Sequence, residues 1–412
     1  MALLIRDTGV PRRASLDAVL AHAFDTEAFT AGDAMEAAGL ARSTTIEAID
    51  DLVRLGFLRE LPNARSAGDY RMGRPSRRFE LAHDAAVVIG VDAGRAHVVT
   101  TVADLRGAPL ARRTTSADMV KADSPAARRR LVARAVDSAL TAAGRERDEV
   151  LAICVGVPAP VDHAGRSPEH REDFWRHMNP DLRGMFGAWA PIVRIENDAA
   201  LASVAEHAHG AAAGLRDTVT LLAGERLGAG VVVDGHLLRG AHGGVGEIVS
   251  LARLEGIGTT HGLGFQIAEW ARARVAAGKV SAGSPLGRLA ASELTAERII
   301  ALAAEGDPDA ADLVERIGER LARIAGVLGS LFDPKRIVIS GAGAGGLEGV
   351  LATATRLLPA ELDLPAPELV ASELGADVVS IGAVAAALES ARSQALHLAP
   401  PASADVPTRA SG

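Results

Sequence analysis

The sequence predicts an N-terminal winged helix-turn-helix domain followed by a two-lobed α/β domain. Three observations predict it. Helical periodicity from residue 14 to residue 55 is broken by Gly39, ends at Gly56 and gives way to two strand-like runs, Phe57–Leu61 and Arg77–Leu81. From residue 86 to residue 390, strands, glycine turns and helical stretches alternate in two successive halves. Between the two strand-like runs lies an arginine-rich loop that contains Gly73-Arg74-Pro75.

Residues 1–13 are expected to form an arm, and residues 14–82 the helical module. Leu16, Val19, Leu20 and Phe24 recur at helical spacing. Thr30–Gly39 reads as a short helix closed by Gly39 in the left-handed cap conformation. A second helix opens at Arg42 or Ser43 and runs to Leu55, with Ile46, Ile49 and Val53 on its apolar face. Helix, helix–turn–helix and two-stranded hairpin together make a winged helix; a plain helical bundle is the alternative on local pattern alone.

In the hairpin, Arg59, Arg65, Arg71, Arg74, Arg77 and Arg78 stand against Glu60 and Asp69, a local excess of four positive charges. Arginine is the side chain that enters a narrow minor groove, where the negative potential is strongest. Glycine removes a side chain that would collide with the backbone, and proline holds the segment extended. The plainer reading is a solvated arginine-rich turn. The preceding helix–turn–helix favours DNA contact through Gly73, Arg74 and Pro75. It also places Arg42, Ser43, Thr44 and Thr45, at the start of the second helix, toward the major groove.

The α/β part opens with Ala86–Gly94, a buried strand running into a tight turn. His97–Ala103 and Ala126–Ala143 read as strand and helix, and Val150–Val157 as a strand ending at Pro158-Ala-Pro-Val-Asp162. A short strand Val193–Glu196 precedes a helix Asp198–His209, and strands follow near 218–223 and 229–233. The stretch after 263 is largely helical up to Arg336–Ser340, a strand entering a glycine-rich turn. Two mixed-sheet lobes with a cleft between them account for this order over residues 86–390. Residues 391–412, rich in Ala, Pro and Ser and without periodicity, are expected to be a disordered tail.

Composition narrows the function classes. With 48% hydrophobic and 23% charged residues, the 412-residue chain can bury a sizeable core in two or three domains. No apolar run reaches bilayer length, and Arg6, Asp7, Arg12 and Arg13 interrupt any signal-like start, so no membrane partner is expected. The single cysteine, Cys154, lies in an apolar strand and fits a reducing, cytoplasmic setting. Aromatic residues at 3% leave little material for stacking on single-stranded nucleic acid. The net charge of −8 does not exclude duplex DNA, because the position of the positive residues decides.

The most specific stretch is Gly224-Glu-Arg-Leu-Gly-Ala-Gly-Val-Val-Val-Asp-Gly-His-Leu-Leu-Arg-Gly-Ala-His-Gly-Gly-Val-Gly-Glu247. It resembles the ROK family of repressors and sugar kinases, as does Glu196-Asn-Asp-Ala-Ala200 and the Gly-Arg-Pro of the hairpin. The resemblance covers nearly the whole chain apart from the tail. It implies an actin-like, ribonuclease-H-like pair of lobes, with Asn197, Asp198 and Glu247 contacting a sugar. The plainer reading of Asn197 and Asp198 is that they cap the helix that starts there.

Both phosphate loops of the family's kinases are altered here. Their Gly-Thr-Gly-Ile-Gly-Ala-Gly becomes a run with Glu225 and Arg226, and their Asp-Ile-Gly-Gly-Thr-Lys becomes Asp92-Ala-Gly94-Arg95-Ala96-His97. A carboxylate repels polyphosphate, and arginine side chains fill the space it needs. The family's zinc ligands are also missing: Val249-Ser250 stands where Gly-His is usual, and Arg253–Gly264 holds His261 but no cysteine. The family's further Glu has no assignable counterpart, Glu269 being only nearby. Neither ATP nor zinc is therefore expected, no catalytic residue is assigned, and the other histidines show no ligand spacing.

The reading is a cytoplasmic, DNA-binding transcription regulator, expected to repress, that binds an inverted-repeat operator as a homodimer or homotetramer. A carbohydrate effector would bind at Asn197, Asp198 and Glu247. A sugar kinase with an appended DNA-binding module, and a DNA-binding oligomer without a ligand, are the alternatives.

Overall fold

The computed structural model describes residues 10–62, 76–116, 124–169, 173–341 and 346–397, with side chains from residue 14 onward. Near the N-terminus, helix α1 (Val10–Asp25) begins inside the segment expected to be an arm. A two-residue strand β1 (Phe29–Thr30) leads into α2 (Ala31–Ala38). The Thr30 and Asp33 side chains cap α2 reciprocally, and Gly39 ends it in the left-handed conformation. Helix α3 (Arg42–Arg54) starts at Arg42 behind Ala41, without a side-chain cap. Strands β2 (Leu58–Leu61) and β3 (Arg78–Leu81) pair antiparallel, and β1 joins the other edge of β3. Leu16, Val19, Leu20, Phe29, Ile49, Leu52, Phe57, Phe79 and Leu81 form the module's core.

Lobe 1 contains β4 (Val87–Ala93), β5 (His97–Asp104), β6 (Pro109–Ser116), α4 (Pro125–Ala143), β7 (Val150–Val157), α5 (Phe174–Met178), α6 (Leu182–Phe186) and β8 (Ile192–Asn197). Helix α7 (Asp198–His209) then crosses to lobe 2. Lobe 2 contains β9 (Thr218–Ala223), β10 (Leu227–Val233), β11 (His236–Leu237), α8 (Leu263–Ala276), α9 (Ala296–Ala304), α10 (Pro308–Phe332), β12 (Arg336–Ser340), α11 (Glu348–Leu357) and β13 (Glu368–Ala371). The last helix, α12 (Val378–Gln394), returns to lobe 1.

The two sheets repeat one topology. Their orders are β6-β5-β4-β7-β8 and β11-β10-β9-β12-β13, each with an antiparallel three-strand meander followed by two parallel strands. Strands β4 and β7 are buried along their whole length, which is why both read as unbroken apolar runs. Strand β6 was not foreseen because it is a polar, largely exposed edge.

Helices α12 and α7 lie between the sheets. α12 packs on β4 and β7, and α7 packs on α12 and on β9 and β10. Bare backbone allows this close approach. A Cβ at Gly382 would stand 1.9 Å from the Leu201 carbonyl oxygen, and one at Gly230 would stand 2.4 Å from that of Ala199.

The N-terminal module shares one apolar core with α7, α12 and the inner face of lobe 1: Leu16 and Leu20 belong to the same cluster as Leu201, Ala387, Ala391 and Leu396. Residues 391–397 are therefore part of the core, correcting the expected start of the tail, since Ala391, Ala395 and Leu396 are buried. Residues 398–412 lie outside the described residues. No helix among the described residues is long and apolar enough to cross a membrane.

Candidate functional site

The cleft is floored by the N-terminus of α7. Asn197 caps that helix: its Oδ1 accepts from the Ala200 N–H at 3.0 Å, and its Nδ2 donates to the Ala159 carbonyl at 3.2 Å. The capping role is thus real, and one Nδ2 hydrogen is left for a ligand. Asp198, the first helical residue, accepts from the Ala199 N–H at 2.8 Å. Removal from water, together with the charges of Asp92 and Glu247, pushes its carboxyl up to about 7. Asp92, the penultimate residue of β4, has its side chain largely buried, and His97 Nε2 lies 3.7 Å from its Oδ2. That contact holds the His97 imidazole above its ordinary range.

Glu247 reaches the cleft from lobe 2 on a glycine loop. A Cβ at Gly243 would lie 2.1 Å from the Val161 carbonyl oxygen, so only glycine lets the loop touch lobe 1 there. The cleft raises the Glu247 carboxyl by desolvation, and Arg226 partly offsets this. The charges of Asp92 and Glu247 thus both bear on Asp198, and Asn197 precedes it as the cap of α7. Carboxylates of this kind accept hydrogen bonds from neighbouring hydroxyls.

The two turns that face the cleft mouth are closed by their own side chains. Arg95 Nη1, from the β4–β5 turn, donates to Glu225 Oε1, from the β9–β10 turn, at 2.6 Å. Beneath the first turn, fully buried Arg128 of α4 donates to the Ala93 and Gly94 carbonyls. Burial pulls its guanidinium down to about 10, still charged at neutral pH.

A second buried arginine organises the loop before α8. Arg320 of α10 donates from Nε to the Ile257 carbonyl at 3.1 Å and from Nη2 to those of Thr259 and His261, at 2.7 and 2.9 Å. His261 stacks edge-on against Phe265, with centroids 4.7 Å apart. Glu269 pairs with Arg272 along α8. Among the described residues no cluster of three or more His, Cys, Asp or Glu side chains could hold a metal ion. Cys154 is buried, and its thiol is pushed up to about 12 by desolvation.

On the N-terminal module, Arg42 and Ser43 are exposed at the start of α3 and Thr44 is half-buried. Thr45 is a correction. It is fully buried, and its Oγ1 donates to the Ala41 carbonyl at 3.1 Å, because it falls on the same helical stripe as Ala48, Ile49 and Leu52. It supports the helix and cannot reach a base. Two of the hairpin arginines are neutralised locally: Arg59 by Glu80 and Asp84, Arg77 by Asp50 and Glu60. Gly73, Arg74 and Pro75 lie outside the described residues.

Residues 88–390 match the model of the ROK family. The bifunctional enzyme NanE/NanK of Brucella melitensis biotype 1 is 33% identical over 228 residues, which are 51% of this chain and 40% of that protein. The chain thus spans less than half the length of that relative. The DNA-binding transcriptional dual regulator NagC of Escherichia coli K12 is 24% identical over 319 residues, 74% of this chain and 75% of the relative. Among solved structures, a ROK family transcriptional regulator described as a homologue of the E. coli MLC protein superposes with a TM-score of 0.73. It is 20% identical, over 94% of this chain and 98% of that one. A ROK family glucokinase from Streptomyces griseus, in complex with glucose and AMPPNP, gives 0.60 at 24% identity, over 74% of this chain and 100% of that one. These structures share the two-lobed architecture, and with the family model matching most of its length, the chain belongs to the ROK family.

Proposed function

We propose that the chain is a DNA-binding transcription regulator, acting as a repressor, whose cleft takes a carbohydrate or related polyol. The observation that carries this reading is the Arg95–Glu225 ion pair. It joins the two turns that in the family's kinases must present bare backbone to a nucleotide, so the place of the phosphates is taken by protein side chains. Support also comes from coverage: the ROK regulator structure aligns over 94% of the chain and the glucokinase over 74%.

The N-terminal module is read as a winged helix. Arg42, Ser43 and Thr44 would face the major groove, and Arg74, between Gly73 and Pro75, would enter the minor groove. An inverted-repeat operator requires at least a dimer, and a homodimer or homotetramer is proposed. Neither ATP nor zinc has a part in this reading.

The physical basis for a response to sugar lies in how the units are joined. The module, lobe 1, α12 and the apolar face of α7 share one core, so they move as a unit. Lobe 2 meets α7 largely through small and polar groups, Thr218, Thr220, Ser203, Gly228 and Gly230, with Leu222 of β9 packed against the shared core. A sugar held by Asp198 on α7 and Glu247 on lobe 2 bridges that seam and shifts the lobes' relative position. Selection of operator fragments from a random duplex library tests the reading. Enrichment of an inverted repeat is expected, and an unenriched library would overturn it.

The relation to NanE/NanK favours one competing reading, a sugar kinase with an appended module. Sugar-dependent ADP release separates the two.

A further inference from the structure

Behind the cleft, a chain of charges runs from α12 through lobe 1 into lobe 2. Glu389 Oε2 of α12 accepts from Arg194 Nη1 at 3.0 Å, and Arg194 Nη2 donates to Glu196 Oε2 at 3.0 Å. The same Glu196 oxygen accepts from Arg239 Nε at 2.9 Å and from Arg239 Nη2 at 2.7 Å. The Glu196 carboxylate is only 4% exposed, and Arg239 is 28% exposed.

The position of this pair in the chain is telling. Glu196 immediately precedes Asn197 and Asp198 at the end of β8. Arg239 opens the glycine loop that ends at Glu247, and its own carbonyl accepts from the Val245 N–H at 3.2 Å within that loop. Each segment that delivers a cleft carboxylate is thus anchored, at its root, by one member of the pair.

Other contacts near the two segments include backbone packing at Gly243 and Gly230, which sets closeness without a directed charge. The pair lies on the wall of a cavity of about 890 Å³, bordered by Ser203, His207 and His236 as well, so side-chain packing is incomplete on that side. The seam between α7 and the lobe 2 sheet is polar. Ser340 donates to Glu206 at 2.7 Å, His207 Nε2 lies 3.3 Å from Thr218 Oγ1, and the buried hydroxyls of Ser203 and Thr220 have no partner among the described residues. A seam of small polar groups permits sliding, whereas a largely buried, doubly donated carboxylate specifies one register.

We propose that Glu196 and Arg239 are a positioning pair that clamps lobe 1 to lobe 2 behind the cleft and sets the separation of Asp198 from Glu247. The functional part of this proposal rests on the assignment of Asp198 and Glu247 to effector binding; the clamp itself does not. Removal of the Arg239 guanidinium frees lobe 2 to slide on α7, and the ligand then meets a misplaced acceptor.

The test reads lobe separation without any ligand. Spin labels at Thr141→Cys on α4 and Lys279→Cys after α8 sit on exposed positions of opposite lobes, while native Cys154 is buried and escapes labelling. Labelled chains diluted with unlabelled protein report distances within one chain by pulsed electron resonance. The parent should give one narrow distribution, Arg239→Met a broadened or displaced one, and Arg239→Lys a profile close to the parent. Glu196→Gln, nearly isosteric, should behave like Arg239→Met and keeps the test valid if that variant misfolds. Parent-like distributions in both Arg239→Met and Glu196→Gln would overturn the clamp. Asp198→Ala should leave the distribution unchanged while weakening the response of operator binding to glucose or N-acetylglucosamine by about fivefold or more. An Asp198→Ala protein that responds to either sugar as the parent does would overturn the cleft assignment and leave the clamp standing.

Discussion

Arg95 and Glu225, at the tips of two turns 130 residues apart in sequence, form an ion pair of 2.6 Å across the mouth of the cleft. Both side chains are more than half exposed, at 56% and 53%, so the pair contributes about 0–1 kcal/mol to stability. In the proposed function its consequence is steric and electrostatic: it stands where the family's kinases would hold a nucleotide. With ATP, magnesium and a panel of hexoses, aminohexoses and pentoses, no sugar-dependent ADP release is expected. Turnover above about one per second, an ordinary enzymic rate, would contradict this.

The raised carboxyl of Asp198 makes the cleft sensitive to pH near neutrality. Its value of about 7 lies above the ordinary 3.8, so between those values the folded chain holds a proton that the unfolded chain lacks. The stability linked to that proton is fully present below 3.8 and is lost as pH rises through about 7. Asp198→Asn should therefore stabilise the protein at pH 8 more than at pH 5, as measured by urea titration at both. Sugar affinity should move the other way, rising as the carboxylate forms, because a charged acceptor makes the stronger hydrogen bond. Isothermal titration across pH 6 to 8 checks this, and a flat profile for the parent would count against Asp198 as the acceptor.

Arg320 holds the carbonyls of Ile257, Thr259 and His261, and so orders a loop that contains no cysteine. Arg320→Met keeps the side chain's bulk but leaves buried carbonyls without donors, with an expected loss on the order of 1–3 kcal/mol. Denaturant unfolding measures it. Chelators should leave the melting temperature unchanged, and elemental analysis should find well below one zinc per chain. Stoichiometric zinc would reveal a site formed by other ligands.

Two substitutions separate DNA contact from support of the helix. Arg74→Ala should weaken operator binding by about 1–3 kcal/mol, most on A·T-rich flanks where the minor groove is narrow. Thr45→Ala should lower stability and leave base preference unchanged, because Thr45 is buried against the core of the module. Arg42 and Ser43, both exposed, are the positions at which substitution should alter the preferred half-site. Binding-site selection with each variant provides the readout.

The strands and helices of both lobes were legible because their periodicity is strong: β7 is buried at every position and α7 begins at Asp198, as read. Strands β6 and β13 were not legible, since short or exposed edge strands carry no apolar alternation. The stripe rule also exposes what was overlooked. Arg320 falls in register with Leu313, Ile317, Ile324 and Leu328, and Arg128 with Val132, Ala135 and Ala139, so a lone arginine on an apolar face was the available signal. The same rule, applied to α3, removes Thr45 from the DNA-facing set. The Glu196–Arg239 pair was beyond reach, because its members lie 43 residues apart and only the assembled lobes bring them together.

The shared core of α1 and α12 bears on how the chain acquires its shape. Arg392 donates to the Ala21 carbonyl and to Asp25, and its guanidinium lies 5.7 Å from the centre of the Phe24 ring. The first described helix therefore completes its packing only against one of the last. During synthesis, the 371 residues that separate Ala21 from Arg392 must emerge before that contact can form, so the module, whose own core lies within residues 16–81, gains its packing on α12 late. A chain released before residue 378 would carry the N-terminal module without the α12 surface against which α1 packs. The seating of the module on the lobes is thus complete only in the finished polypeptide.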